Sequence, residues 1–307
     1  SIWVTGVQTC ALPIYLRGNG GGHLTEATAL SGLFIPGGPI VQLRETGGRV
    51  EVLDDPEPTI AWDGPMIVLV DRFSASASEI FAAAIQDYGR GIVVGQQTYG
   101  KGSVQNLYPL DRYALGPDPG FGQLTVTIGK YYRVTGESTQ HRGVQPDISM
   151  PTAISTEEVG ESTRESALPW DRIRPVDFGR ETQLNQAVAT LEQAHERRIA
   201  TDADYRSLLA DLDSFEKIRA QKKVSLNLKT RIAEREQLEK ERLIRENARR
   251  VAHGLQPVAK MADITAADMP DPTLAETAEI AADLSGVNSQ YLSKLKTEAA
   301  EGAAGTP

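Results

Sequence analysis

Between residues 16 and 150 short apolar runs alternate with a single helical stripe. MIVLV (66–70) is an unbroken apolar run of the length and β-branched content of a strand covered on both faces. Beyond FSASASE, apolar residues recur at Ile80, Phe81, Ala84, Ile85 and Tyr88, one face of a helix that Gly89 ends. IVV (92–94) predicts another short buried strand, and LTVTIGKYYRV (124–134) alternates as a half-buried strand does. PIVQL (39–43) and VEVL (50–53) have strand character on either side of the Gly47–Gly48 turn. A glycine-rich turn over Gly18–Gly22 leads into a short helix from Thr25 to Phe34. Strand, helix and strand in succession imply parallel pairing with a crossover, hence an α/β core over 15–150.

The pattern then changes. Residues 151–170 shift to Ser, Thr, Glu and Pro and read as a linker. From 171 to 295 the chain reads as all-helical: Leu184, Val188 and Leu191 share one face, and Leu208, Leu209, Leu212 and Phe215 share another. Residues 228–252 are dense in Lys, Arg and Glu without a steady heptad, which predicts a solvated helix stopped near Gly254. Pro272, Thr273 and Glu276 predict one more capped helix. Residues 296–307 (EAAEGAAGTP at their end) read as a disordered tail.

Composition narrows the partners rather than the fold. The 307 residues carry a net charge of −9, and no basic stripe interleaved with aromatics is present, which argues against nucleic acid. No apolar run has the length of a membrane span. The single cysteine, Cys10, excludes an intramolecular disulfide framework and a cysteine-based metal cluster. The first residues stand apart: VTGVQTCALPI resembles the translation of a sequencing-library adapter. Residues 1–14 are therefore read as foreign to the native sequence, with Cys10 foreign and Tyr15 standing where an Asp codon has been altered. They are apolar enough to occupy by accident a strand that leads into Leu16, where Pro13 would cost ladder bonding if it sat centrally.

FSASASEIF (73–81) raises the question of chemistry. Ser76 and Glu79 have the S-x-x-E spacing of a capping box, whereas Ser74 and Ser78 have no acid three residues on. Ser76 is therefore the expected N-cap. The same geometry sets it beside free backbone N–H groups, Ala77 first among them, that can stabilise an oxyanion. A nucleophilic serine also needs a base. His195 and His253 read as surface residues of the helical region, and His23 and His141 fit no Asp/His arrangement. Lys101 in TYGKGS, flanked by Gly100 and Gly102, is the better candidate, because glycines on both sides let its side chain turn inward. At an ordinary pKa near 10.4, about one lysine in 2,500 is neutral at pH 7, so the role demands a shielded amine. Gln105, four residues on, is placed to hold that amine or the substrate.

A rival lies in the same residues. Gly95-x-x-x-x-Gly100-Lys101 approaches a P-loop, with Asp71 imitating the acid that holds magnesium. Gly102 stands where a metal-binding hydroxyl belongs, and VQNLYPL reads as extended where a helix must begin. A third possibility is a non-catalytic helical docking module over residues 182–290.

LRGNGGG, VDRFSASASEIFAAAIQDYGRGIVVG, TYGKGSVQ and YYRVTGESTQHRGVQPDI together resemble the C-terminal (tail-specific) processing peptidases, the S41 serine peptidases. The helical extension resembles that of the periplasmic tail-specific type. The resemblance implies a crotonase-like (ClpP-like) α/β peptidase core followed by an all-α region. It also implies a catalytic Ser76/Lys101 dyad assisted by Gln105, and an oxyanion hole from the N–H groups of Ala77 and Gly22, with Gly21 as the alternative register. Asp87 matches a family acid and reads as structural. No metal or organic cofactor is implied. Substrates would be proteins with apolar C-terminal tails, a lipoprotein adaptor would be a further partner, and the compartment would be the periplasm. A PDZ domain that the family places before LRxNxGG is expected to be missing from this sequence.

Overall fold

The run MIVLV sits at the centre of a parallel sheet, flanked on both sides by other strands, and its five residues are all within 2% of full burial. That environment is the reason the run carries no polar alternation. The computed structural model describes residues 11–55, 59–113, 120–265 and 269–286. The tail read over 296–307 and Cys10 lie outside the described residues. The chain divides into two compact units, one of residues 1–150, 154–189 and 281–307 and one of residues 151–153 and 190–280.

In the first unit the order is β1 (Leu12–Tyr15), α1 (Leu24–Gly32), β2 (Gly38–Glu45), β3 (Val50–Asp55), β4 (Met66–Val70), α2 (Ala77–Asp87), β5 (Ile92–Gly95), β6 (Ser103–Pro109), β7 (Gln123–Tyr132) and β8 (Ile148–Ser149). One four-stranded sheet runs β1-β4-β5-β8, with all three pairings parallel; the other runs β3-β2-β7-β6 and is antiparallel. The crossover from β4 to β5 is α2. Its sequence suggests one apolar face, but nearly the whole helix is buried, Gln86 being its one half-exposed residue. The alanines at 82, 83 and 84 let neighbours approach on every side. Phe34 meets Phe81 edge-on at 5.9 Å within this core. Asp87, at the far end of α2, is buried against Arg133, whose Nε and Nη2 donate to it at 2.9 and 2.5 Å. Burial pushes the Asp87 carboxyl up and the arginine opposes that shift.

The apolar residues before Leu16 occupy a strand: Leu12–Tyr15 forms an edge strand along β4, and Ala11 is buried. An edge position is where a strand tolerates Pro13, which has no N–H to give to a ladder. Residues 154–170 are not a free linker. The buried Arg72 guanidinium donates to the Val159 carbonyl at 2.6 Å and to the Thr98 carbonyl, and Glu161 N–H donates to Tyr99 O at 3.1 Å. Composition misleads because the segment is held by backbone carbonyls, which any sequence supplies.

The second unit is helical. It contains the greater part of α3 (Gln183–Ile199), all of α4 (Ala203–Arg219) and α5 (Leu228–Ala252), and the first turns of α6 (272–286). Asp202 and Asn227 cap α4 and α5 through their side chains. Along α5 most side chains are exposed, and Gly254 follows at φ +69°. His195 departs from its surface reading: it is 4% exposed, hydrogen-bonded through Nδ1 to Glu276 at 3.0 Å and edge-on to Tyr205. Its position continues the apolar stripe of Leu184, Val188 and Leu191, so the spacing already places it inward. His253 is partly exposed and pairs with Asp204. Glu276 is likewise not a cap; it accepts from His195 and from Arg198 at 2.7 Å, while Asp271 caps α6. Between α4 and α5 lies an apolar hollow of about 590 Å³ lined by Ile218, Val224, Leu228, Ile232 and Leu238.

Candidate active site

The three serines of FSASASEIF do different things. Ser74 is fully buried: its hydroxyl donates to Leu16 O at 2.8 Å and accepts the Asp71 N–H at 3.0 Å. Ser78 donates to Asn19 O at 3.0 Å, and Ala75 N–H reaches the same carbonyl at 3.0 Å. Both outer serines therefore fasten the glycine-rich turn to the loop between β4 and α2. Asp71, whose sequence position imitates a magnesium ligand, does the same: its Oδ1 accepts the N–H groups of Gly18, Phe73 and Ser74 at 2.9–3.0 Å. Ser76, half-buried between them, keeps an uncommitted hydroxyl that makes no side-chain cap bond.

The Ser76 backbone is strained. Its φ of +57° and ψ of −117° place an L-residue in a region that glycine favours, and His141 is the other such residue among those described. Strain of this kind costs about 1–3 kcal/mol and persists where its surroundings over-determine it. The determinant is Glu79. The expected capping box is present: the Glu79 carboxylate accepts the Ser76 N–H at 2.8 Å and the Glu79 N–H faces the Ser76 side chain, while its hydrogen bond at 2.9 Å goes to the Ser76 carbonyl.

Glu79 also reaches a second loop. Its Oε1 accepts Thr98 Oγ1 at 2.5 Å and Gly100 N–H at 2.7 Å, and its Oε2 accepts Lys101 N–H at 3.0 Å. One fully buried carboxylate thus binds the backbones of both Ser76 and Lys101. Burial raises its pKa to about 7, against the pull of these four donors. The Tyr131 hydroxyl, itself within reach of the Glu79 carboxylate, donates to Lys101 O and lies 3.2 Å from Ser76 O. Lys101 itself is half-buried, and its Nζ donates to Gln105 Oε1 at 3.2 Å. The amine is engaged with Gln105 and makes no direct hydrogen bond to Ser76.

The glycine turn completes the site. A Cβ on Gly21 (φ +96°) would fall 2.6 Å from Ala75 O, 2.7 Å from Ala77 N and 2.9 Å from Ser76 Cβ, whereas a Cβ on Gly22 would meet open space. Gly21 is therefore the residue pressed against the serine, and its close approach brings the Gly21–Gly22 peptide beside Ala77. Ala77 opens α2, so its N–H has no acceptor within the helix.

Neither histidine weighed as a base enters the cluster. His23 stands at the exposed N-terminus of α1, and His141 touches the lysine loop through its backbone N–H, which donates to Gly100 O at 2.8 Å. The P-loop reading fails on structure as well: β6 follows Gly102, so no helix N-terminus faces Lys101.

Sequence reading names Ser76, Lys101, Gln105, Ala77 and the glycine turn, and the fold joins the Ser76 and Lys101 backbones through Glu79, with Gln105 on the amine and Gly21 against Ser76 and Ala77. It misses the roles of Glu79, Thr98 and Tyr131. Glu79 has a local signal, but a cap explains that signal completely, and the bonds to Thr98 and Gly100 depend on how β5 leads out beside α2.

An uncommitted serine at a strained strand-to-helix turn, with a glycine-flanked lysine tied to it, is the arrangement of a serine hydrolase. Residues 7–150 match Peptidase family S41, and residues 154–286 match the C-terminal domain of tail specific protease. Residues 7–150 belong to peptidase family S41. It is 42% identical over 300 residues to the tail-specific protease of Haemophilus influenzae, covering 94% of this chain and 43% of that protein. It is 39% identical over 134 residues to the carboxy-terminal-processing protease of Bartonella bacilliformis, covering 43% of this chain and 29% of that protein. The chain thus spans less than half the length of these relatives. A solved structure, that of a photosystem II D1 C-terminal processing protease, aligns with a TM-score of 0.41 at 28% identity, over 48% of this chain and 36% of its own.

Proposed function

We propose that the chain is the catalytic core and helical extension of a serine endopeptidase that selects proteins by apolar C-terminal tails. The observation that carries this is the uncommitted Ser76 hydroxyl on a strained turn, locked through Glu79 to the Lys101 loop. The relatives named for tail-specific and carboxy-terminal processing support the substrate class. The core is read as crotonase-like and the compartment as periplasmic, with a lipoprotein adaptor as a partner; no described helix is long and apolar enough to cross a membrane.

In this mechanism Ser76 Oγ attacks the scissile carbonyl carbon while neutral Lys101 Nζ takes its proton. The resulting ammonium returns the proton to the leaving amine, and water then releases the acyl group from Ser76. Attack requires the amine to swing from Gln105 towards Ser76, a side-chain rotation about a fixed backbone. Gln105 holds the amine between turnovers. The developing oxyanion is met by Ala77 N–H and by the N–H of Gly22, which Gly21 brings close by having no side chain.

That division of roles between the two glycines is testable. Gly21→Ala should lower turnover by about 100-fold, because its Cβ collides with backbone that cannot yield. Gly22→Ala should change it by less than about tenfold, since the space is open and only the N–H is used. Comparable turnover in both, measured on one peptide, would contradict the assignment. For the substrate class, a reporter protein ending in apolar residues should be degraded, the same reporter ending in Asp or Lys should survive, and Ser76→Ala should spare both.

The hollow between α4 and α5 favours a second reading, the helical region as a docking module. Binding of an apolar-tailed protein that is indifferent to Ser76→Ala and leaves the tail intact would support it over catalysis.

A further inference from the structure

Tyr131 lies on β7, its ring buried to within 2% of full burial, with its hydroxyl between the two loops that carry Ser76 and Lys101. Its single proton goes to Lys101 O, with Ser76 O a second acceptor at 3.2 Å and the Glu79 carboxylate also within its reach. These two carbonyls are not equivalent. Ser76 O already accepts the N–H groups of Glu79 at 2.9 Å and Ile80 at 3.0 Å as the first carbonyl of α2. Among the described residues, Lys101 O accepts besides Tyr131 the long bond from Thr139 Oγ1, at 3.4 Å. The lysine loop therefore has two anchors, the Glu79 carboxylate on its N–H groups and the Tyr131 phenol on its carbonyl.

Two anchors, one on each of the two peptides that flank the Lys101 Cα, fix the rotation of that residue as well as its position. With Glu79 alone, the Lys101–Gly102 peptide can turn about the Lys101 Cα, and the long side chain multiplies a small turn of the residue into a large displacement of Nζ. We propose that Tyr131 is a positioning residue for the proposed reaction: its hydroxyl sets the register of the Lys101 loop on the Ser76 turn, and thereby where the amine swings. The inference rests on the reading of Ser76 and Lys101 as the reacting pair. Burial and the neighbouring Glu79 carboxylate push the Tyr131 pKa well up, so the group remains a donor across the working pH range.

The adjacent residue supplies the control. Tyr132 points to the other face of β7, is also fully buried, and donates to Asp171 at 3.0 Å, away from either loop. Removing its hydroxyl deletes a comparable hydrogen bond from the same strand without touching the site. Tyr131→Phe and Tyr132→Phe should be compared with the parent chain for kcat and KM on an apolar-tailed reporter. Amide exchange over residues 98–102 and 74–79 should be followed in the same proteins.

Tyr131→Phe should lower kcat by about 100-fold with KM changed by less than about twofold, and exchange over 98–102 should quicken by about tenfold or more. Tyr132→Phe should leave kcat within about twofold of the parent. A Tyr131→Phe protein with parental kcat, or equal losses in the two variants, overturns the proposal. If the parent and Ser76→Ala prove equally inert, it is the peptidase reading that has failed. The exchange measurement still decides the clamp in that case, and unchanged protection over 98–102 overturns it.

Discussion

Replacing Ser76 by alanine should reduce peptide-bond hydrolysis by on the order of 10⁴-fold or more, and Lys101→Ala should reduce it as far, with the double variant no worse than either single one. Groups that act in one step lose their effect together, because a serine without a base and a base without a serine leave the same residual site. The folded protein should barely notice. Among the described residues Ser76 Oγ makes no side-chain cap bond and Lys101 Nζ bonds Gln105 alone, so neither change orphans a buried group there. A melting temperature close to that of the parent would therefore accompany the loss. His23→Ala and His141→Ala should retain turnover, since neither ring bonds the serine or the lysine. Activity surviving in Lys101→Ala but lost in either histidine variant would sink the dyad.

Glu79 should give the protein opposite pH trends in stability and in turnover. Burial raises its pKa from 4.5 to about 7, which means that the folded state favours the protonated carboxyl. The sign follows directly. This group's stabilising contribution is complete below pH 4.5 and is lost as pH rises through 7, by on the order of 3 kcal/mol. Turnover should move the other way. Both oxygens of the carboxylate accept two donors each, so a proton on either one evicts Thr98, Gly100, Ser76 or Lys101 from the cluster. The ionised form holds the two loops in register, and kcat/KM should rise through pH about 7. Charge burial is thus a standing cost in stability for an ordered site.

Glu79→Gln separates the two effects. Its amide oxygen can still accept from Ser76 and Lys101, and Thr98 can reverse to accept from the amide nitrogen, leaving Gly100 N–H unpaired. This variant should keep a fraction of the activity with a flatter acid limb. Stability of the parent relative to Glu79→Gln should fall between pH 4.5 and 7.5, followed by denaturant unfolding. A difference that does not change with pH across that range would refute the assignment.

The two halves of this protein were unequally legible. In the first unit the strands at 66–70, 92–94 and 124–134 and the helix after FSASASE follow from apolar spacing, because burial on one or two faces is a local demand on composition. Ser76, Lys101, Gln105 and the glycine turn were also legible, since glycine neighbours and helix starts are marked in the sequence itself. Other features needed the fold. Ser74, Ser76 and Ser78 have nearly the same local sequence, and only the approach of Leu16 and Asn19 commits the outer two hydroxyls and leaves the middle one free. Residues 154–170 look like a linker until Arg72 is seen to hold them through the Val159 main-chain carbonyl, which leaves no trace in composition. By itself the sequence marked the residues proposed to carry the chemistry. Tertiary structure alone decided what holds them, because the bonds of Glu79 to residues 98–101 and of Tyr131 to residues 76 and 101 join segments far apart in the chain, and no local pattern encodes such a meeting.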